Sequence, residues 1–418
     1  MSIREKYKLA KIRTEIENFS ALIDAELFDE AVKYFREHLE RPTLFGLEPS
    51  LRRAELLQKV EVEKLSDNAD KCLILYSLAL SLNLTGGYPN RAIPLYEKHD
   101  ELAEKIGDYK SFVAKFGASR EGFAASRAFS GIGGDCKKGL QIIRERSDFL
   151  REAVNLYWLG MGLAHRGEEK LSETALQRSL RIFQKKFASQ AEGVVHAFLA
   201  QRALWLENYA DALNYANKAI EIGEKLKNDD NHADLHGAVK ILTAALRMKG
   251  EALLFGVQSS ACNQPEDRTS NDSEEFLQTA LTYAREIEFV EEELPALRAL
   301  ALKALKDNKL DVARDYLKQT WHLAERGQFL LYNADSYNIL ARVEMTDGNR
   351  EKAIEAAMKA FELSICDGIP FAYQRGLKDA QALLNQLYAR VLEIPKCDES
   401  KFPPMSLIEI NPYDGFSV

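Results

Sequence analysis

His196–Ala219 reads HAFLAQRALWLENYADALNYANKA. Leu199, Ala203 and Leu204 recur at the three- and four-residue spacing of one helical face. A second helix follows, with Ala212, Ala216 and Ala219 as its small residues. Three further stretches share the pattern: LYWLGMGLAHRGEEKLSETALQRSL from Leu156, LRALALKALKDNKLDVARDYLKQT from Leu297 and YNILARVEMTDGNREKAIEAAMKA from Tyr337. Each first helix carries a leucine and then a small residue: Leu159–Gly160, Leu199–Ala200, Leu300–Ala301 and Leu340–Ala341. Each second helix opens on a small residue, at Ser172, Ala212, Ala313 and Ala353. Small residues on the first helix let the second approach closely, and those on the second let the next hairpin stack.

The spacing resembles the tetratricopeptide repeat (TPR), with its W-x-x-L-G-x-x-Y…A-x-x-x-F…A pattern. Forty residues separate Ser172 from Ala212 and Ala313 from Ala353, and eighty separate Ala92 from Ser172. The period is therefore longer than the standard repeat of about 34 residues. Ala212 to Ala313 spans 101 residues, room for one more hairpin and a polar insertion at 257–272, visible as SSACNQPEDRTSND from Ser259. Asp272 or Ser273 is the expected cap of the next helix, with Glu275 in reach of a capping-box contact. The first hairpin is LIDAELFDEAVKYFREHLE, with Ala31 as its small residue. Tyr109–Phe149 is degenerate, and its turn is placed at Gly131–Gly134. The expected fold is all-α, a right-handed TPR-like superhelical solenoid of about eight hairpins over 1–394. A cap helix is expected near Gly376–Val391, and 395–418, with four of the eleven prolines, is expected as an irregular tail.

Composition agrees. Hydrophobic residues make up 46% of the 418 and charged residues 29%, enough to bury a sizeable core. No proline occurs between Pro94 and Pro265, and that stretch is rich in good helix formers. The net charge of −8 does not imply a broad basic face for nucleic acid. The five cysteines lie far apart with no C-x-x-C pair, which reads as reduced thiols in a cytoplasmic protein. MSIREKYKLA holds no apolar signal core, and no run of about 18 apolar residues offers a membrane span.

Several stretches resemble the C-terminal TPR sensor halves of bacterial STAND proteins, signal-transduction ATPases with NACHT- or NB-ARC-like modules. These stretches are AVKYFREHLERPTLFGLEPSLRRAELL, KLSDNADKCLILYSLALSLNLTGGYPNRAIPLYEKHDELAEKIGD, AEGVVHAFLAQRALWLENYADALNYANKAIE, EFVEEELPALRALALKA and FELSICDGIPFAYQRGLKDAQALLNQL. The tail KFPPMSLIEINPYDGF is similar to that family's terminus. Cys366, Gly368, Pro370, Phe371, Tyr373, Gly376 and Leu377 form the most specific piece. The resemblance implies a repeat sensor that binds a trigger and releases an ATPase to activate an effector, often in bacterial defence. This chain departs from the family in having no G-x-x-x-x-G-K-[ST] phosphate loop. A stand-alone protein, a split subunit and an excised fragment all fit.

Chemistry-bearing motifs are few. Gly131–Gly134 has no Lys-Ser/Thr behind it and reads as a turn. His232 and His236 have helical metal-ligand spacing but no H-E-x-x-H context or third ligand. Glu291–Glu293 begin a helix, where acids complement the dipole. No catalytic residue, metal or cofactor is assigned. The expected site is the concave groove lined by first helices. The repeat register points positions 5, 9 and 13 inward: Tyr157, Met161 and His165; Ala197, Gln201 and Trp205; Arg298, Leu302 and Lys306; Asn338, Arg342 and Thr346. Tyr157, His165, Gln201, Trp205, Arg298, Lys306, Asn338 and Arg342 are the expected partner-binding residues, because aromatic and arginine side chains make good anchors. The expected partner is a protein or peptide: an effector, an ATPase or a trigger. Direct nucleic-acid binding and membrane insertion are not expected. A small-molecule or signalling-peptide receptor, and an accessory subunit of a nuclease or protease complex, are the alternatives.

Overall fold

The computed structural model describes residues 3–40, 47–84, 89–107, 132–228, 235–256, 266–287, 289–324, 329–390, 393–398 and 406–412. The first five helices are α1 (Ile3–Asp24), α2 (Phe28–Tyr34, continued by a wider turn Phe35–Leu39), α3 (Leu47–Leu57), α4 (Asn68–Leu84) and α5 (Pro89–Ile106). They share a core in which Phe19, Phe35, Leu57, Ile74 and Ala92 are buried. Then come α6 (Ile132–Glu145), α7 (Phe149–His165), α8 (Glu169–Lys185), α9 (Ser189–Trp205), α10 (Tyr209–Asn228), α11 (Leu235–Gly256) and α12 (Glu266–Glu286). The series continues with α13 (Val290–Lys306), α14 (Leu310–Ala324), α15 (Leu330–Thr346), α16 (Arg350–Ser364), α17 (Gln374–Gln386) and the short α18 (Leu407–Ile410).

A repeated turn sets the helix lengths. Ser147, Gly167, Phe187 and Glu207, twenty residues apart, each have positive φ, as do Asn308, Gly348 and Tyr388 at forty-residue steps. In each of the first four the residue after the turn donates back to the fifth residue before it, for example Asn208 N to Ala203 O at 2.9 Å and Glu168 N to Leu163 O at 2.9 Å. This satisfies helix-end carbonyls and starts the next helix two residues on. Glycine fills the left-handed position only twice among these seven, so the period is invisible to a search for glycines.

The small residues act as the sequence predicts. A Cβ on Gly160 would stand 2.6 Å from Leu176 Cγ, so only glycine admits α8 at this depth. Ser172 Oγ then donates to Gly160 O at 2.8 Å. Ala212, Ala313 and Ala353 are fully buried at the equivalent place. The unassigned hairpin is α11–α12, and its key pair is Gly250 and Ser273. A Cβ on Gly250 would meet Leu277 at 2.8 Å, and Ser273 Oγ donates to Gly250 O at 2.9 Å. Gly250 and Ser273 lie eleven residues farther apart than Gly160 and Ser172, which is what hides the repeat.

Three expectations need correction. α12 begins at Glu266, so the expected insertion 257–272 ends inside a helix and Asp272 and Ser273 do not cap it. α6 begins at Ile132, so Ile132–Gly134 are helical rather than a turn; Tyr109–Gly131 lies outside the described residues. The cap helix is Gln374–Gln386, starting before Gly376. His232 lies outside the described residues, as does the His236 side chain.

The tail folds back onto the repeats. Ile369 N donates to Pro395 O at 3.0 Å and Cys397 N to Ile369 O at 2.9 Å. Gly368 is required there: at φ +88° its Cβ would lie 2.4 Å from Pro395 O. Farther on, α18 carries a Ser406–Glu409 capping box, and Ile410 is fully buried in the core of α6–α9. Arg144 donates to Glu409 O at 2.6 Å and Ile410 O at 2.8 Å, and Arg178 Nη1 to Asn411 Oδ1 at 2.8 Å. Both guanidiniums also hold the buried Glu152 at 2.9 Å.

Replacing Gly160 with valine should lower stability by about 1–3 kcal/mol through overpacking. Phe187→Gly, at an exposed left-handed position, should leave the melting temperature unchanged or raise it. Thermal melts followed by circular dichroism check both; equal loss in the two variants would show that the close approach is not what limits packing.

Candidate functional site

Successive first helices α7, α9, α11, α13, α15 and α17 pack on one another, whereas the second helices α8, α10, α12, α14 and α16 lie farther out. The first helices therefore line the inside of the curve. The curve closes on itself. His165 at the end of α7 meets Tyr373 at 5.6 Å between ring centroids, and Arg166 lies 4.6 Å over the Phe371 ring. Leu331, Leu363, Phe371 and Tyr373 share one buried cluster with Leu156, Leu159 and Phe198.

A polar ladder crosses the inner face from helix to helix. Arg247 on α11 donates to Gln201 on α9 at 2.8 Å, to Glu251 at 2.6 Å and to Glu292 on α13 at 3.0 Å. Arg298 on α13 pairs with Asp335 on α15. Asp335 in turn accepts from the Tyr373 hydroxyl at 3.1 Å. Arg342 on α15 pairs with Asp379 on α17. At the closing corner His165 lies 4.9 Å from the Trp205 ring, and the Arg375 guanidinium lies 5.6 Å over that ring, within cation–π range.

Burial strengthens the Arg247 and Arg298 contacts, because charges attract more strongly in a low-dielectric setting. Burial opposes the charge on Arg247, yet Glu292 and Glu251 outweigh it and raise its pKa. Burial pushes the Tyr373 hydroxyl up, and Asp335 pushes it further. Tyr332 is raised by burial and by Glu291 and Glu292. Burial lowers His165 to about 4, with Arg375 adding to the shift and Asp335 opposing it, so its imidazole is neutral at pH 7. Carboxylates tied to guanidiniums in this way are held in fixed orientations by charge-assisted hydrogen bonds.

The residues expected from the register divide into two sets. His165, Trp205, Gln201 and Arg298 belong to the inner-face cluster, and Gln201 and Arg298 are buried within its ladder. Tyr157 instead packs edge-on against Phe198 at 6.1 Å and joins the core. Lys306 donates to Leu254 O and closes the end of α11. Asn338 is fully buried, and its amide donates to Gly376 O at 3.0 Å, binding α15 to α17 rather than facing open groove. Arg342 is half-buried in its pair with Asp379. Sequence reasoning missed Arg247, Glu251, Asp335, Tyr373 and Arg375. The first two were accessible: with Gly250 aligned on Gly160, Arg247 and Glu251 take the inward positions of Ala197 and Gln201. Tyr373 and Arg375 sit at the start of α17, where no further hairpin supplies a register.

No family model and no curated protein matches this sequence. Solved structures do. A Rap protein complexed with competence and sporulation factor is 13% identical, with TM-score 0.53 over 91% of this chain and 97% of that one. Aspartyl phosphate phosphatase F from Bacillus subtilis is 13% identical over 92% and 97%, with TM-score 0.42. Yeast Tom70 is 12% identical over 92% and 97%, with TM-score 0.30. The chain is a TPR-like α-superhelix. At such identities the likeness concerns fold alone. Among the described residues, this TPR-like chain has no helix long and apolar enough to cross a membrane, and no group of three or more metal-ligand side chains.

His165 gives a pH prediction. Its folded pKa, about 4, lies below the unfolded value of 6.5, so the unfolded chain takes up the extra proton between them. Its contribution is therefore complete above pH 6.5 and is lost as pH falls toward 4. The loss amounts to at most about 3 kcal/mol. His165→Asn should flatten the decline in melting temperature over that window, compared at equal ionic strength; an unchanged slope would place the imidazole in free contact with solvent.

Proposed function

We propose that this chain is a non-catalytic interaction module whose closed inner face binds a protein segment or peptide and passes that event to a partner. The observation that supports this most is the inner cluster itself. Six first helices bring aromatic and charged groups together there, and Gln201 Nε2 and Trp205 Nε1 are buried without a partner. Unmatched buried polar atoms carry a cost that a ligand can remove. TPR-like scaffolds offer such surfaces for extended segments. The Rap relative of similar fold is itself complexed with competence and sporulation factor, which suits a peptide reading.

The resemblance to STAND sensor repeats suggests the next step: a cytoplasmic sensor or scaffold that regulates an associated effector or ATPase, in the manner of a bacterial antiviral system. The segment carrying the strongest resemblance, Cys366–Leu377, includes Phe371 and Tyr373 at the closing contact. A trigger bound beside that contact would bear directly on whether the curve opens or stays shut. The second reading, a receptor for a small signalling peptide, is favoured by that same closure, which limits the site to short or extended ligands.

Affinity capture from the native cell compares the tagged chain with its Trp205→Ala, Arg342→Glu double variant. A stoichiometric partner should be recovered with the wild type and lost at least tenfold with the variant. Equal recovery with both would remove the inner face from the interaction.

A further inference from the structure

At one corner the inner face leaves hydrogen-bond donors over. Arg247, Arg298 and Arg342 are each held by carboxylates, and the carboxylates Glu251, Glu292, Asp335 and Asp379 are each held by those guanidiniums. Arg375 makes no hydrogen bond or ion pair with any described residue; its contact is the Trp205 ring. It stays exposed within the concavity while Trp205 and Tyr209 beside it are half-buried. The cation–π contact holds the guanidinium beside the indole and uses none of its N–H donors. The neighbouring unpartnered atoms, Trp205 Nε1 and Gln201 Nε2, are donors too. These donors, gathered beside a guanidinium that makes no hydrogen bond to a described carboxylate, match a planar monoanion with two acceptor oxygens. A doubly charged phosphate would bring more negative charge than a carboxylate close to Asp335, Glu251 and Asp379, whose charges already act on Arg375.

We propose that the Arg375–Trp205 corner, between α9 and the start of α17, anchors a carboxylate of a bound peptide. This rests on the peptide-binding reading above and names its anchor. The carboxylate is either the peptide's C-terminus or an acidic side chain. It takes a two-toothed bond from Arg375, and Trp205 Nε1–H and Gln201 Nε2 supply the flanking donors.

The test uses the full chain and two probes: a random-sequence pentapeptide pool with free C-termini, and the same pool amidated. Each is incubated with protein, the complex is separated by size exclusion, and retained peptides are identified by mass spectrometry. If the C-terminus is the anchored group, amidation cuts retention at least tenfold. If a side chain is anchored, the amidated peptides retained all contain Asp or Glu. In both cases Arg375→Gln loses retention at least tenfold, and Arg375→Lys recovers part of it. Arg375 holds no internal hydrogen bond, so its variants should melt with the wild type. Trp205→Phe, which keeps the ring and removes the indole N–H, provides a second variant with several-fold weaker retention. Retention of the same peptides by Arg375→Gln and wild type would overturn the anchor and leave the groove reading standing. So would retained peptides lacking any carboxylate. No retention from either pool would overturn the groove reading and the anchor together.

Discussion

The structure depends on where the curve closes. Helices of 17 residues, such as α7, α8 and α9, joined by a turn with a left-handed residue every twenty positions, add nearly equal increments of rotation. After five hairpins the start of α17 comes back against the end of α7. His165, Arg166 and Gly167 then meet Tyr373, Phe371 and Gln374. A repeat protein usually gains stability only from neighbouring repeats. Here a contact between residues about two hundred positions apart adds a core shared across the gap, and it encloses the inner face. Without that enclosure the arginines and carboxylates of the ladder would be solvated surface pairs of small value.

Enclosure turns these pairs into a specification of register. Arg247 reaches Gln201 and Glu292 on the helices to either side, Arg298 reaches Asp335, and Tyr373 reaches Asp335 from the far side. Each bond spans adjacent first helices. Losing one partner leaves a buried charge uncompensated, at a cost of about 3–5 kcal/mol. Apolar seams tolerate sliding better than this ladder does. The small residues permit close approach, and the ladder then selects one alignment among the close approaches available.

The contrast between what was and was not legible follows the same division. Gly160, Ala212, Ala313 and Ala353 announce the hairpins because steric exclusion at a helix crossing admits only small side chains. That signal is local and repeats. The turns are hidden because Phe187, Glu207 and Asn308 adopt a conformation that sequence habit assigns to glycine. α11–α12 was hidden by its eleven extra residues, although Gly250 and Ser273 carry the same pair of contacts as Gly160 and Ser172. Inward positions were only partly legible, since the register places a side chain on a face but does not say what faces it from the next helix. Asn338 lies at an inward position and is consumed by Gly376 O; Arg375 lies outside any register and faces the enclosed space. The closing contact depends on the summed rotation of five hairpins, which no single stretch encodes.

The tail bears on the same closure from outside. Its first part pairs with Ile369, a few residues before the Phe371 and Tyr373 contacts. Its last part inserts Ile410 among α6–α9, where Arg144 and Arg178, both braced by Glu152, donate to Glu409 O, Ile410 O and Asn411 Oδ1. One segment is thus bonded to both sides of the gap that α7 and α17 close. Separating those sides means breaking the aromatic contacts between them and working against the hydrogen bonds that hold the tail to each. The two costs are linked, since residues that touch a common element do not contribute independently. A ligand that spans α9 and α17 adds a third tie across the same gap, so whatever favours closure favours the ligand by an equal free energy.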